Sequence, residues 1–440
     1  MRIRLYDARI LTMVMGQSVF KGEVIICDDK IEKVIEGSLY DAKNQILYKD
    51  RYQNAFDQEI DCMGNLILPG FKNCHAHGPM TFLRSFADDL PLDEWLHTKI
   101  FPAEAKLKDS DIYTLMKLAV LEYVRGGITT SFEMYFYPEQ IAKACEDMGF
   151  PCVISGTVFG NTKDDVDGAV HTLEQDYKQF HKKNKWVDYR LGFHSEYSCC
   201  YELLEAIGQL CQELKEPVYM HNSETKKEVD ACMKRYGMTP IQLMNQLKLF
   251  EYGGAGHHCV YTTEKDRQIL KEKNVYVVTN PASNVKLASG IAPLKEYVEE
   301  GIPVALGTDG PASNNNLNFF KEMYLACGLA KLKYEDAAAV SAMDVLRMAT
   351  VNGANLLGIS ADCIREGNYG DLVMIDLLKP NMQPMNHLVN NLVYSGSNDN
   401  VLMTMIHGKV VYTNNRYFMN VDPLDVYKEA NYIIRRIENE

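Results

Sequence analysis

The feature that most constrains the fold is an alternation of short apolar runs with segments of helical periodicity. Eight runs, many of which end in glycine or a polar cluster, cover residues 66–68, 128–133, 151–159, 189–194, 217–221, 253–260, 275–279 and 303–309. Between most of them, apolar residues recur with helical spacing, as in "SDIYTLMKLAVLEYVRGG" and "YELLEAIGQLCQELK". Strands that alternate with helices are joined by crossovers and lie parallel in one sheet. Eight such units predict a (β/α)8 TIM-like barrel.

The two ends of the chain carry a different pattern. Residues 1–65 and about 360–415 contain hairpin-like β segments with turn residues, such as "GEVIICDDKIEKVIEG", "GDLVMIDLL" and "VLMTMIHGKVVYTNN". These segments predict a small β-sandwich domain that both chain ends build together. We therefore divide the chain into 1–65 (N-terminal part of the small β domain), 66–358 (barrel) and 359–440 (C-terminal part of the small domain plus a terminal helix).

Composition limits the classes of partner. The chain has 440 residues, of which 46% are hydrophobic and 24% charged, as in an ordinary globular protein. Its formal net charge of -13 argues against nucleic acid as a partner, because nucleic-acid binders use basic patches to contact phosphates. We expect a small-molecule substrate, and the composition is compatible with a homo-oligomer.

The sequence also predicts a cytoplasmic location. Its start, "MRIRLYDARILTMVMG", alternates polar and apolar residues and lacks the apolar core of a signal peptide. No window reaches the roughly 18 apolar residues of a membrane span. The 12 cysteines include no CxxC pattern, which is typical of free thiols in a reducing compartment.

Histidine and acidic residues stand at the ends of five predicted strands, in "CHAH", "HSEY", "MHNSE", "GHHC" and "LGTDG". A barrel enzyme gathers its chemistry at the C-terminal ends of its strands. In a strand, His75 and His77 point to the same side, so their rings can converge. Any one histidine alone could be a hydrogen-bonded core or surface residue, but the set together predicts one site.

The residue types indicate a metal centre. His75, His77, His221 and Asp309 offer three neutral nitrogens and one carboxylate, a set that suits one divalent transition metal, zinc first and iron as the alternative. A water bound to such a metal becomes acidic near neutral pH.

Two further residues carry the predicted proton chemistry. Glu224 lies three residues beyond His221, close enough to move a proton to the substrate without being a ligand. His258 could orient or polarise the attacking water. For Glu224 the alternative is a solvated glutamate that opens a helix at "SETKKEV", where a carboxylate suits the helix dipole.

Several long motifs resemble a known family. "PGFKNCHAHGPMTFLRSFADDLPLDEWL", "HNSET", "HHCVY", "NPASNVKLASGIAP" and "LGTDGPASNNNLNFF" are similar to those of the amidohydrolase superfamily. More narrowly, they resemble the methylthioadenosine/S-adenosylhomocysteine deaminases and their chlorohydrolase relatives. The resemblance covers nearly the whole chain, including "GDLVMID" and "HGKVVY" near its end.

The resemblance implies a role for each matched residue. The counterparts of the four ligand-type residues hold one metal, Glu224 and His258 match the catalytic pair, and Asp309 also accepts the proton of the attacking water. His194 matches a histidine that contacts the substrate, and Glu104 matches a glutamate that binds the ribose hydroxyls. Trp95 is predicted as a pocket wall, with a core tryptophan as the alternative. The fourth strand, "DYRLGFHSE", offers no lysine to bridge two metals, which favours a mononuclear site.

One departure bears on the substrate. Family members that act on S-adenosylhomocysteine carry two arginines in and after the third strand, whereas residues 147–160 here contain neither arginine nor lysine. We therefore predict hydrolytic deamination, by a metal-activated water, of adenosine, 5′-deoxyadenosine or methylthioadenosine to the inosine-type product and ammonia. The alternatives are hydrolysis of another heterocycle (a guanine-like base, a pterin or a chlorotriazine) and a non-catalytic barrel scaffold.

Overall fold

The structure is a computed structural model that describes residues 1–38, 56–90 and 92–440. Residues 39–55 of the predicted N-terminal part and residue 91 lie outside the described residues. Two sheets organise this part of the chain, one with eight strands and one with nine.

The eight-stranded sheet is a parallel barrel in which every strand pairs with its neighbours in sequence. Its strands are β6 Phe71–Ala76, β7 Ile128–Met134, β8 Cys152–Ser155, β9 Val187–Ser195, β10 Val218–Asn222, β11 Gly254–His258, β12 Val275–Thr279 and β13 Val304–Leu306. The backbone N–H groups of Thr308 and Asp309, just past β13, both donate to the carbonyl oxygen of His75 in β6. The last strand thus returns beside the first, and the predicted barrel is confirmed.

Helices connect consecutive barrel strands, and further helices follow the last strand, β13. In chain order they are Leu92–Trp95, Phe101–Glu104, Asp109–Arg125, Pro138–Met148, Val166–Phe180, Tyr201–Leu214, Lys226–Tyr236, Pro240–Gln246, Glu264–Glu272, Pro281–Lys286, Leu294–Glu300, Pro311–Asn314, Phe319–Tyr334, Ala342–Arg347 and Gly353–Leu357. Two further helices follow near the C-terminus, Leu388–Tyr394 and Pro423–Asn439.

The inside of the barrel is a packed core. Apolar side chains from its strands form one buried cluster with the helix at 353–357: Cys74, Phe132, Val153, Tyr219, Ala255, Val278, Ala305, Leu356 and Leu357. Because side chains fill the interior, a ligand can enter only at the strand ends, where the histidines and acidic residues lie.

Both ends of the chain contribute to the nine-stranded sheet, which confirms the predicted fold class. Its strands are β1 Arg2–Ile10, β2 Phe20–Cys27, β3 Lys30–Glu36, β4 Gln58–Asp61, β5 Leu66–Pro69, β14 Leu372–Ile375, β15 Val401–Ile406, β16 Lys409–Thr413 and β17 Arg416–Tyr417. The two ends meet where β5 pairs parallel to β1 and antiparallel to β14.

The assignment of residues 66–68 to the first barrel strand is wrong. They belong to β5 of the nine-stranded sheet, and the first barrel strand is β6, two residues later. All four residues of β5 are buried, so the strand has the same continuous apolar run as a barrel strand. The division at residues 65/66 and 358/359 stays a prediction, and this pairing favours a first boundary near residue 70.

The C-terminal helix Pro423–Asn439 packs on the barrel helix Asp109–Arg125. Its buried residues Val426, Ala430, Ile433 and Ile437 repeat at helical spacing and form one apolar face. The buried ion pair between Arg436 and Asp111 fixes this face against the barrel. Among the described helices, none is both long enough and apolar enough to cross a membrane.

Candidate active site

Four ligand-type side chains meet at the C-terminal ends of the barrel strands. His75 lies in β6 and His77 just beyond it, His221 lies in β10, and Asp309 follows β13. Nε2 of His77 is 3.2 Å from Oδ1 of Asp309 and 3.3 Å from Nε2 of His221. Nε2 of His75 is 3.6 Å from the same oxygen of Asp309. Three imidazoles and a carboxylate therefore converge as the ligands of one metal ion do.

Hydrogen bonds fix the rings of two of these histidines. Nδ1 of His77 donates to the carbonyl oxygen of Met134 at 2.5 Å, and Nδ1 of His221 donates to that of His194 at 2.7 Å. With the proton on Nδ1, the lone pair of each Nε2 faces the centre of the cluster. Burial also lowers the pKa of His221 well below its ordinary value, which keeps the ring neutral.

Asp309 is held in a strained backbone conformation by many contacts. Its φ of +59° lies in the left-handed region, which non-glycine residues seldom adopt. Its Oδ2 accepts hydrogen bonds from the hydroxyls of Ser283 (2.5 Å) and Ser313 (2.9 Å), and Oδ1 accepts one from the N–H of Gly310 (2.8 Å). Burial opposes ionisation, but the adjacent His77 ring, whose pKa Asp309 raises in the metal-free protein, and the Ser283 hydroxyl outweigh it, so the pKa of Asp309 lies below its usual range.

Glu224, just after β10, and His258, the last residue of β11, face the same centre. Nε2 of His258 is 3.9 Å from Oε2 of Glu224 and 3.9 Å from Oδ2 of Asp309. Nδ1 of His258 is 2.8 Å from Oδ1 of Asn284, and Oε1 of Glu224 accepts a hydrogen bond from the Ser289 hydroxyl at 2.9 Å. Asn284 and Ser289 are not among the predicted site residues, although both lie in the motif "NPASNVKLASGIAP".

A buried glutamate fixes the loop that carries Glu224. The carboxylate of Glu228 accepts hydrogen bonds from the backbone N–H groups of Ser223 (2.8 Å), Glu224 (2.8 Å) and Thr225 (3.4 Å). Burial raises the pKa of Glu228 to about 7. The sequence carries a signal for this residue, because Thr225 and Glu228 have the spacing of a capping box at a helix start.

Two more buried glutamates accept backbone hydrogen bonds from other loops at the C-terminal ends of the barrel strands. Glu133 accepts a hydrogen bond from the N–H of Gly78, directly after His77, at 2.7 Å. Glu322 accepts one from the N–H of Ala282, after β12, at 2.9 Å, and burial raises its pKa to about 8. Neither glutamate is among the predicted site residues, because a glutamate in a strand or helix carries no signal of burial.

The predicted ribose ligand Glu104 lies near the metal-type cluster. Its Oε1 accepts a hydrogen bond from the hydroxyl of Tyr135 at 2.5 Å. The Tyr135 ring centre is in turn 6.4 Å from that of His77. Burial raises the pKa of Glu104 to about 7.

The other two predicted substrate contacts differ in position. The His194 ring centre is 4.9 Å from that of His221, and its Nδ1 is 3.0 and 2.9 Å from the hydroxyls of Ser195 and Ser198. Burial lowers the pKa of His194 to about 4, so its ring is neutral. Trp95 is only 5% exposed and lies in the large hydrophobic core. The structure thus brings Glu104 and His194 close to the ligand cluster, and it packs Trp95 into the core.

The arginine-free segment 147–160 runs beside His194. The backbone N–H of His194 donates to the carbonyl oxygen of Val158 at 3.0 Å, and Val158 bridges to Phe193. The next residue, Phe159, is 55% exposed. An exposed apolar side chain therefore stands in the segment after β8, where the resemblance implies an arginine in members that act on S-adenosylhomocysteine.

The sequence pattern of one known family matches most of the chain. The description of that family is "amidohydrolase family", and the match spans residues 66–411.

The chain belongs to the amidohydrolase family.

Similar proteins agree with this membership. A 5-methylthioadenosine/S-adenosylhomocysteine deaminase of Dictyoglomus thermophilum is 38% identical over 88% of this chain and 91% of its own length. A 5′-deoxyadenosine deaminase of Methanothermobacter thermautotrophicus is 36% identical over 89% of each. A solved adenosine deaminase from Xanthomonas campestris with bound zinc superposes with a TM-score of 0.91 at 28% identity and covers 100% of this chain and 99% of its own. The predicted amidohydrolase resemblance is confirmed, and so is the prediction of a hydrolytic deaminase.

Proposed function

We propose that this amidohydrolase removes the 6-amino group of an aminopurine nucleoside by hydrolysis and releases the inosine-type product and ammonia. The observation that carries the proposal is that Glu224 and His258 face the cluster of His75, His77, His221 and Asp309 at one rim. The names of the two sequence relatives support the same class of substrate, a nucleoside of adenine.

We propose that one divalent transition metal, zinc first and iron as the alternative, binds to His75, His77, His221 and Asp309. The donor set fits such an ion, since neutral imidazoles and a carboxylate are its usual ligands. Both ring nitrogens of His75 are buried without a hydrogen-bond partner among the residues described, and coordination would satisfy one of them. A bound metal of this kind lowers the pKa of a coordinated water towards neutrality.

Asp309 and His258 position the attacking water in this proposal. Asp309 accepts a proton from the water as its oxygen adds to C6, because its low pKa and its two serine donors keep the carboxylate ionised before attack. His258 presents Nε2 towards the same space when Nδ1 carries the proton and donates to Asn284. A lone pair in that position can orient the water by a hydrogen bond.

Glu224 moves the protons that the purine needs. Ser289 occupies Oε1, so Oε2 is left on the side of His258 and the substrate. Glu224 receives the water proton that Asp309 has accepted and delivers it to the ring nitrogen next to C6. As the C6=O bond forms and the C6–N bond breaks, Glu224 takes the second water proton from the C6 hydroxyl and passes it to the amino group, which leaves as ammonia. The ring nitrogen keeps a proton in the inosine-type product, so the atoms of water and substrate are all accounted for.

Two contacts select a nucleoside over a free base. A carboxylate accepts two hydrogen bonds from a vicinal diol, and Glu104, anchored by Tyr135, is placed to accept them from the ribose. His194 lies next to His221 with one ring nitrogen engaged by serine hydroxyls, which leaves the other for the sugar or the base.

The 5′ substituent is proposed to be uncharged. Residues 147–160 contain no lysine or arginine, and Phe159 is exposed beside the His194 strand. A substrate carboxylate there would lose hydration without gaining a charge-assisted hydrogen bond. S-adenosylhomocysteine should therefore be disfavoured by about 1 to 3 kcal/mol, roughly a 5- to 150-fold lower kcat/KM.

The test is deamination of a substrate panel, followed by ammonia release and by the change in purine absorbance. The panel contains adenosine, 5′-deoxyadenosine, methylthioadenosine, S-adenosylhomocysteine, 2′,3′-dideoxyadenosine, adenine and guanine. The three nucleosides with a neutral 5′ group should react best, and loss of the diol should lower kcat/KM sharply. Turnover of free bases or non-purine rings alone would overturn the nucleoside proposal, and turnover of none would favour a non-catalytic scaffold.

A further inference from the structure

One of the three clustered histidines lacks the hydrogen bond that fixes the other two. His77 and His221 each donate from Nδ1 to a backbone carbonyl. Neither ring nitrogen of His75 has a hydrogen-bond partner in the part of the chain that the structure describes. Metal-binding histidines almost always use their second nitrogen to fix the ring orientation, so the ring of His75 needs another constraint.

The backbone of His75 is fixed, but this does not fix its ring. Its carbonyl oxygen accepts hydrogen bonds from the N–H groups of Thr308 (3.1 Å) and Asp309 (3.0 Å). A Cβ added at Gly307 would lie 2.9 Å from the His75 Cβ, which shows how closely the neighbouring strand approaches. Rotation about the Cα–Cβ bond and about the bond between Cβ and the ring is the freedom that these contacts leave.

The side chain of His257 supplies the missing constraint. Its ring stacks on that of His75 with centroids 3.9 Å apart and planes 18° apart, so no water fits between them. Its ring centre is also 5.6 Å from that of Phe132 and 5.9 Å from that of His221. His257 is fully buried, and both of its ring nitrogens lack a hydrogen-bond partner among the described residues.

A buried imidazole without hydrogen bonds destabilises the fold, since the transfer of its polar atoms from water is uncompensated. A hydrophobic residue at the same point of the barrel core would avoid that cost. His257 provides a flat ring face that stacks directly on the ring of His75, one of the proposed metal ligands.

We infer that His257 is a positioning residue that holds the ring of His75 in the orientation needed to bind the metal. The inference rests on the proposed function, because it assumes that His75 is a ligand. His257 itself touches neither the metal nor the substrate, since its ring lies parallel to that of His75 and faces the barrel core.

The experiment measures the metal affinity of the apoprotein by competition with a coloured zinc chelator, which needs no turnover. His257→Ala removes the ring, His257→Leu fills the space without a flat face, and His257→Phe restores a flat ring without nitrogens. We expect the Ala and Leu variants to bind zinc about 10-fold or more weakly, the usual effect of losing a ligand's outer partner. The Phe variant should recover most of that affinity.

Cobalt(II) gives a second readout, because its visible absorption reports the arrangement of the ligands. The spectra of the Ala and Leu variants should differ from that of the wild type, and the spectrum of the Phe variant should match it. His181→Ala is the matched control: His181 is also a histidine stacked on another ring, that of Tyr177, at 4.3 Å and 19°, and its loss should change neither readout.

Two outcomes would contradict the inference. Wild-type affinity in His257→Ala or His257→Leu would show that the ring face is unnecessary. If His257→Phe bound zinc as weakly as the Ala variant while His257→Gln restored the wild-type affinity, His257 would act through hydrogen bonds instead of through its ring face. If the Ala variant does not fold, the zinc affinities of the Leu and Phe variants are compared, and equal affinities would contradict the inference. Absence of zinc binding in the wild type would instead overturn the proposed metal site, so the two failures are distinguishable.

Discussion

At the scale of single residues, the two oxygens of Glu224 have different surroundings. Oε1 accepts a hydrogen bond from Ser289, and Oε2 faces Nε2 of His258 at 3.9 Å. The backbone of Glu224 is held separately, by the carboxylate of Glu228. The side chain can therefore change its charge without releasing the loop, which is the arrangement that a proton shuttle requires.

Glu224→Gln should separate catalysis from packing. The amide keeps the size of the side chain and can accept the Ser289 hydrogen bond, but it cannot carry the proton. We expect kcat to fall by about 10² to 10⁴, with metal content and Tm little changed. The exposed Glu205→Gln serves as the control and should leave all three unchanged. A destabilised Glu224→Gln with near-normal kcat would assign Glu224 to structure instead.

Site residues of types that are rare at strand ends could be predicted from the sequence, whereas site residues of common types could not. His75, His77, His221 and Asp309 could be predicted, because histidine and aspartate after several parallel strands have one meeting point. Asn284 and Ser289 could not be assigned, since serine and asparagine occur everywhere and only the fold shows which of them is buried against a catalytic group. For Trp95, the sequence could not decide between a pocket wall and the core in which the structure places it.

At the scale of elements, the close approach of β10 and β11 sets the relative position of His221 and His258. Gly254 begins β11 with a φ of +123°, and a Cβ there would lie 1.9 Å from the carbonyl oxygen of Val218. No L side chain fits without parting the two strands. Gly253 also has a positive φ, +78°, but its Cβ would meet nothing closer than 3.3 Å.

Gly254→Ala should therefore be far more damaging than Gly253→Ala. Gly253→Ala adds only left-handed strain, about 1 to 2 kcal/mol of unfolding free energy. Gly254→Ala adds a collision with backbone, and we expect a loss of about 3 kcal/mol or more, together with weaker metal binding. Urea unfolding and metal analysis of the two variants check this. Equal losses would mean that β10 and β11 can separate without harm to the site.

The least accurate part of the strand prediction was the choice of the sheet to which a strand belongs. The alternation of apolar runs and helices predicted seven of the barrel strands in their places, but the run at 66–68 belongs to β5 of the other sheet. A strand buried on both faces reads as a continuous apolar run in either sheet. The pairing that distinguishes them joins β5 to β14, more than 300 residues away in sequence, and no local pattern contains that information.

At the scale of the whole molecule, two kinds of buried group change the stability of the apoprotein in opposite directions with pH. Burial lowers the pKa of His75 and His221, so the unfolded chain binds more protons and stability rises with pH up to about 6.5. Burial raises the pKa of Glu104 and Glu228 to about 7 and that of Glu322 to about 8. These three carboxyl groups make their full contribution to folding stability below about pH 4.3, the pKa of a glutamate in the unfolded chain. That contribution is lost as the pH rises through 7 to 8.

Above about pH 6.5 His75 and His221 are neutral in both states. The raised pKa of His77 acts in the same direction as the carboxylates, because the stability that it contributes is also lost as pH rises. The unfolding free energy of the metal-free protein should fall between pH 6.5 and 8, and Glu322 should account for about 1 to 2 kcal/mol of the fall. Glu322→Gln cannot ionise, so its curve should be flatter by that amount, whatever constant offset the amide introduces. Urea unfolding in the presence of a chelator at several pH values measures both slopes, with the exposed Glu205→Gln as control. Parallel curves for the wild type and Glu322→Gln would show that Glu322 is already ionised in the folded protein at pH 6.5, held by the hydrogen bonds from Ala282 and Asn314.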